Sequence, residues 1–235
     1  MARLLSEDFD LLCQYINNYK LDGLVVDEDA LPVLSACHKK YYSYLVIIEE
    51  FRIIVDDTNY TPIVTVQQFE FLQESCSDIG QAFFLTMNGC YKGARLLLRS
   101  SIENFLKGIC FDEDKNIIIN KSVYKVFNRA KATSAFAGNK LPLHEALHDI
   151  YGNLCQDVHT ANGQHMASVT ALNHFPAFNK NEASSIQRII QRLSNLYITA
   201  LALKFNKSYH HIGFENKDIL NKEILNDFKQ IVHNL

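Results

Sequence analysis

The segment YYSYLVIIEEFRIIV, residues 41–55, decides between an all-helical chain and one that contains sheet. Its tyrosines, valines and isoleucines are strand formers, and the apolar run taken alone would suit a buried β-strand. From Tyr41 to Val55, however, there is no Gly, Pro, Asn or Asp to end a strand, and the run is longer than the roughly 4–8 residues usual for one. A buried helix from about Leu31 to Asp56 fits better, with Pro32 tolerated in its first turn.

Outward from that segment the signals are helical on both sides. Ser6 can cap a helix to about Lys20, with Phe9, Leu12, Ile16 and Tyr19 near one face, and Gly23 ends it. After a loop from Asp57 to Thr65, Thr65 and Gln68 form a capping box for a helix reaching about Met87. Asn88-Gly89 breaks the chain, and YKGARLLLRSSIENFLKGIC, residues 91–110, is the clearest helix of all. Asn120 to about Thr133 is predicted helical, followed by a small-residue linker, SAFAGNK. The next helix starts near Leu141-Pro142 and stops at Asn162-Gly163. Residues 164–180 are less regular. Asn181 or Ser184 opens a long amphipathic helix to about Asn206, and a last helix spans about Lys217 to Asn234. With no hairpin signal and no strand–helix alternation, the expected fold is all-α, a single multi-helix bundle of roughly seven to nine helices. Residues 1–64 form a helical extension packed on a core of residues 65–235.

Composition narrows function only coarsely. The chain has 235 residues, 48% hydrophobic and 21% charged, with formal net charge −3. That balance gives no general nucleic-acid footprint and leaves room for a local basic site. Six cysteines, at 13, 37, 76, 90, 110 and 155, form no C-x-x-C and read as buried thiols rather than disulfides. The opening MARLLSEDFD turns acidic at once, so no signal peptide is expected, and Leu45–Ile48 is far shorter than the ~20 residues of a membrane helix. The expectation is a soluble cytoplasmic protein without membrane contact.

His144-Glu145-Ala146-Leu147-His148 reads as H-E-x-x-H, in which two histidines four apart on a helix hold zinc and the Glu works on bound water. Its context argues otherwise. Pro142 stands just before the first His, Asp149 follows the second, and no third ligand is evident. Tyr151 and Leu154 occupy the positions three and six beyond His148, Glu182 lies past the helix end, and His159 is roughly 16 Å along the helix. The plainer expectation is no metal, with His144 and Glu145 on an exposed first turn and His148 partly packed. No cofactor is expected.

A second phrase, Tyr151-Gly152-Asn153-Leu154-Cys155-Gln156-Asp157-Val158-His159, follows the helix carrying Arg95, Arg99, Glu103 and Lys107. Together, R-x-x-x-E on one helix and Y-x-x-L-C-x-x-V-H on a later one, these resemble the HEPN-like helical proteins of bacteria, over about residues 65–205. The resemblance implies a helical bundle, often dimeric. It also implies action as a metal-independent ribonuclease in toxin–antitoxin or antiviral defence systems, or service as a non-catalytic member of such a system. The family motif is an Arg, roughly four to six intervening residues, then a His at a helix end. The His handles the ribose 2′-OH proton and the Arg steadies phosphate charge. His159 matches the His, but Gly152, Asn153 and Leu154 stand where the Arg belongs. Arg99 from the neighbouring helix is the candidate substitute, with Glu103 orienting His159. The implied binding residues are Tyr151, Asn153, Asp157 and Arg95, and the implied partners RNA or a nucleotide, a protein, or a second copy of the chain.

Each residue also has a plain explanation. Arg95, Arg99, Glu103 and Lys107 at i+4 spacing can be a surface ladder of ion pairs worth a few tenths of a kcal/mol each. His159 in a last helical turn suits the helix dipole, and Cys155 is a packed thiol. Three functions stay open: a ribonuclease built on His159, Arg99 and Glu103; a binding subunit; and a zinc hydrolase at His144, Glu145 and His148.

Overall fold

A computed structural model of the chain describes residues 9–11, 13–16, 18–56, 64–159 and 174–234, apart from the side chains of 53–56 and 157–159. Capping side chains decide where its long helices begin. The Asp27 carboxylate accepts the backbone N–H groups of Asp29 and Ala30 at 2.9 and 2.7 Å, and α1, Ala30–Asp56, follows. Thr65 and Gln68 exchange both bonds of the capping box ahead of α2, Val66–Met87. Gly89, with φ of 77°, makes the turn into α3, Tyr91–Cys110; a Cβ there would also come within 2.2 Å of the Ala177 carbonyl oxygen. The remaining helices are α4, Val123–Lys131; α5, Leu141–His159; α6, Lys180–Lys204; α7, Asn206–His211; α8, Phe214–Asn221; and α9, Asn226–Asn234. Residues 9–11, 13–16 and 18 are helical as well, and no strand occurs among the described residues. The chain is an all-α multi-helix bundle.

The deciding segment is helix, buried along one face. Tyr44, Ile47, Ile48 and Phe51 of α1 are sealed in the same apolar cluster as Leu72, Ile79, Ile102, Phe105 and Tyr197 from later helices. Each such side chain contributes roughly 1.5–3 kcal/mol relative to exposure, which is how tertiary packing overrides strand propensity here. α1 runs parallel to α6: Tyr44 meets Tyr197 with ring centroids 5.2 Å apart, and Phe51 meets Phe205 at 5.5 Å. α2 and α3 form an antiparallel hairpin so close that a Cβ on Gly108 would fall 2.9 Å from Leu72 Cγ. Inside, hydroxyls link four helices: Tyr44 donates to Ser75, Ser75 and Ser101 share a bond of 3.0 Å, and Ser101 lies 3.3 Å from the Tyr197 hydroxyl.

The largest departure from expectation is the C-terminal region, three short helices rather than one from about 217. Gly213 caps α8, and the chain breaks again at 222–225. There Glu223 turns inward to Lys40 and Ser43 while the Leu225 N–H donates to Thr199 Oγ1 at 3.0 Å. A buried carboxylate with these partners outweighs helix continuity. α4 is shorter than the expected 120–133, and the linker after it is core rather than spacer, with Ala135 and Phe136 fully buried. Asn179, not Asn181 or Ser184, caps α6, accepting from the N–H groups of Asn181 and Glu182. The Ser6 cap, most of the 57–65 loop, the Asn162-Gly163 stop and most of 164–180 lie outside the described residues. No helix among the described residues is long and apolar enough to cross a membrane.

Candidate functional site

Residues four apart on an α-helix precess by about 40° per step, so Arg95, Arg99, Glu103 and Lys107 trace a spiral rather than a straight row. Three neighbouring helices each take part of it. Arg95 Nη2 pairs with Glu182 of α6 at 2.6 Å. Lys107 Nζ stands 6.0 Å from the ring centroid of Phe71 on α2. Between them, Arg99 and Glu103 both turn to Tyr151 of α5. Of the surface ladder Arg99–Glu103–Lys107, the Arg99–Glu103 pair forms, while among the described residues Lys107 turns to α2 rather than to Glu103.

Tyr151 is the hub. Arg99 donates its Nε–H to the Tyr151 hydroxyl at 2.8 Å, and that hydroxyl donates to Glu103 Oε1 at 2.9 Å. Arg99 Nε is 3.6 Å from the same carboxylate oxygen, and both charged side chains are 26% exposed. The guanidinium carbon also lies 5.2 Å from the Tyr151 ring centroid. Burial first, then Glu103, pushes the Tyr151 phenol well above its ordinary pKa against the pull of Arg99, so it stays a proton donor at neutral pH. For Arg99 burial works against the charge, but the bond to Tyr151 and the charge interactions with Tyr151, Cys155 and Glu103 together outweigh it and the pKa is raised. No described group bonds the two terminal nitrogens of Arg99. They present a fork to a half-open surface, the geometry that matches a carboxylate or phosphate.

α3 and α5 run antiparallel. Cys110 at the end of α3 contacts Thr133, three residues before the Phe136 that packs on His144 near the start of α5. His159 is the last residue of α5, eight residues and about 12 Å along the axis from Tyr151. The side chains of His159 and Asp157 lie outside the described residues. Asn153 is placed differently from expectation. Two residues from Tyr151 it is rotated about 200° around the helix, so it faces solvent on the side away from Arg99. Gly152 is exposed beside it, and Leu154 is core.

The H-E-x-x-H residues are also redistributed. His144 is buried, 6% exposed, between Phe127 and Phe136 at centroid distances of 5.5 and 5.8 Å, whereas Glu145 and His148 are exposed. This reverses the expected burial of the two histidines, because Leu143, Leu147, Ile150 and Leu154 set the inward face and His144 flanks it. His144 Nε2 lies 3.0 Å from the Phe127 carbonyl oxygen and so carries the proton, leaving the buried Nδ1 without a partner. The two imidazole centroids are 6.5 Å apart with rings nearly parallel at 14°. Among the described residues no group of three His, Cys, Asp or Glu side chains is placed to hold a metal ion.

Comparison with protein-family models, with curated proteins and with solved structures finds no match for this chain. Two features escaped the reading of the sequence. Glu182, the partner of Arg95, sits on another helix and has no local signal. The stretch from Lys115 to His144 contains no Asp or Glu at all, which a windowed count of acids would have found.

Proposed function

We propose that this is an HEPN-like RNA-acting protein of a bacterial defence or toxin–antitoxin system, a metal-independent endoribonuclease in which Arg99 replaces the missing motif arginine. The observation that supports this reading is the Arg99 guanidinium, fixed through Nε by Tyr151 and flanked by Glu103, with its terminal nitrogens unengaged among the described residues. Because Glu103 makes the pair neutral, Arg99 recognises phosphate by fork geometry rather than by long-range attraction. With about 12 Å of helix between Tyr151 and His159, Arg99 anchors the strand beside the reacting phosphate. His159 takes the 2′-OH proton, as a group titrating near neutrality does.

The test is cleavage of RNA in EDTA by wild type, His159→Ala, Arg99→Ala and Arg99→Lys. Cleavage is expected to vanish in His159→Ala and to fall at least tenfold in Arg99→Ala. It should be poorly restored by Arg99→Lys, which keeps the charge but loses the fork. RNA left intact by wild type in large protein excess would overturn the catalytic reading. The absence of arginine from positions 152–154 favours what then remains, a non-catalytic subunit that binds RNA, a nucleotide or a protein partner.

A further inference from the structure

From Lys115 to His144 the chain carries six cations, Lys115, Lys121, Lys125, Arg129, Lys131 and Lys140, and no carboxylate, in a protein of net charge −3. The three acids just before this run are already committed. Asp112 and Glu113 pair with Lys204 of α6, and Asp114 takes Arg129. Lys121, Lys125 and Lys131 are exposed, and no described carboxylate pairs with them.

α4 gathers these charges on one side. It buries Val126, Phe127 and Ala130, which fall within about 100° of arc. Tyr124, Lys125, Asn128 and Lys131 occupy the opposite arc, with Lys121 in the turn leading into the helix. Tyr124 is 72% exposed, an aromatic ring set among lysines rather than packed. Helix electrostatics accounts for only part of the pattern: Arg129 and Lys131 stand in the last turn, where the dipole favours cations. Lys121 precedes the helix and Lys125 stands in its first turn, where the dipole disfavours cations, and that turn holds no acid. Membrane insertion does not fit either, since the apolar face such a helix would bury in lipid is already in the core. An exposed ring among unpaired lysines matches a strand of phosphates with accessible bases. The opposite, inner side of α4 packs on the Arg99 cluster: Phe127 meets Tyr151 with centroids 5.4 Å apart.

We propose that the solvent face of α4 and the turn before it, bearing Lys121, Tyr124, Lys125, Asn128 and Lys131, binds single-stranded nucleic acid. The lysines contact phosphates and Tyr124 stacks on a base. The preference for RNA over DNA rests on the function proposed above; the surface itself rests on its own charges and exposed ring.

Fluorescence anisotropy of the full chain in EDTA tests this, with labelled oligouridylate and oligodeoxythymidylate of about 15 nucleotides. The second lacks a 2′-OH and survives any cleavage that uses one. The Lys121→Ala, Lys125→Ala, Lys131→Ala triple variant, checked for an unchanged melting temperature, should bind both at least tenfold more weakly. Its slope of log K against log salt should shrink by about 2. Tyr124→Ala should weaken binding about tenfold with the salt slope retained. The proposal is overturned if the triple variant binds as wild type does, or if wild type binds neither oligomer. It is equally overturned if wild type binds phosphatidylserine–phosphatidylcholine vesicles through these lysines and ignores the oligomers. Arg99→Ala separates the two proposals: affinity kept there but lost in the triple variant sustains the basic face and removes Arg99 as the anchor.

Discussion

Two tyrosines join helices through their hydroxyls in opposite ways. Tyr197 of α6 is fully buried, stacked on Phe105 with centroids 3.9 Å apart, and its hydroxyl meets the neutral hydroxyls of Ser101 and Ser75. Tyr151 of α5 is half-buried, and its hydroxyl stands between a guanidinium and a carboxylate. Burial raises the pKa of both phenols, so both remain donors or acceptors rather than anions at neutral pH. The neutral network satisfies itself and holds four helices in register. The charged one satisfies Tyr151 and one nitrogen of Arg99, and leaves the rest of the guanidinium facing outward. Architecture closes its hydrogen bonds; a site leaves some open.

The sharpest way to break that contrast is to remove the buried ring. Tyr197→Ala is expected to destabilise the chain by about 3–5 kcal/mol, through lost burial and the cavity left against Phe105 and Tyr44. Urea unfolding monitored by circular dichroism measures it. A loss below about 1 kcal/mol would mean that the bundle repacks there and that Tyr197 is no keystone.

Removing only the hydroxyls asks a finer question. Tyr197→Phe and Tyr151→Phe should each cost about 1 kcal/mol, but only the second should change ligand affinity. Without its hydroxyl, Arg99 loses its 2.8 Å tether and can fold directly onto Glu103, 3.6 Å away, withdrawing the fork. RNA affinity is then expected to fall about tenfold in Tyr151→Phe and to stay unchanged in Tyr197→Phe. Equal affinities for the two variants would remove the distinction between them.

The fold was legible because its signals are local. Absent breakers in 41–55, the Thr65–Gln68 capping box and Asn88-Gly89 all act within a few residues and are found where the sequence put them. The C-terminal break was not legible, because it depends on Glu223 reaching Lys40, residues distant in sequence. The site divides along the same line. Arg99, Glu103 and Tyr151 could be singled out, and the structure joins them. Asn153 could not be excluded until helix phase put it on the opposite side, and Arg95 could not be paired until α6 supplied Glu182. The lysines of α4 were missed for another reason: net charge averages over the chain, and three acids spent on Lys204 and Arg129 hide how basic the next thirty residues are.

The smallest expected effect tests the seam between these regions. His144 joins α5 to α4 by its bond to the Phe127 carbonyl, and Phe127 in turn supports Tyr151. Burial lowers its pKa; the Phe127 carbonyl opposes the shift, His148 of α5 and Lys131 of α4 deepen it, and Glu145 opposes it weakly. Since the folded-state value lies below the unfolded value of ~6.5, the unfolded chain binds more protons as pH falls through that range. The stability tied to neutral His144 is therefore complete above about pH 6.5 and is lost as pH drops from there toward the folded-state pKa. Urea unfolding at about pH 8 and about pH 5 should show a larger acid-side loss in wild type than in His144→Gln. Other titrating groups cancel in that difference, and identical pH dependence in wild type and His144→Gln would mean that the ring is protonated without cost. If the loss is seen, acid loosens the packing of α4 on α5 beneath the Tyr151 cluster, while the neutral hydroxyls around Tyr197, which hold no proton to exchange in this range, leave the rest of the bundle in place.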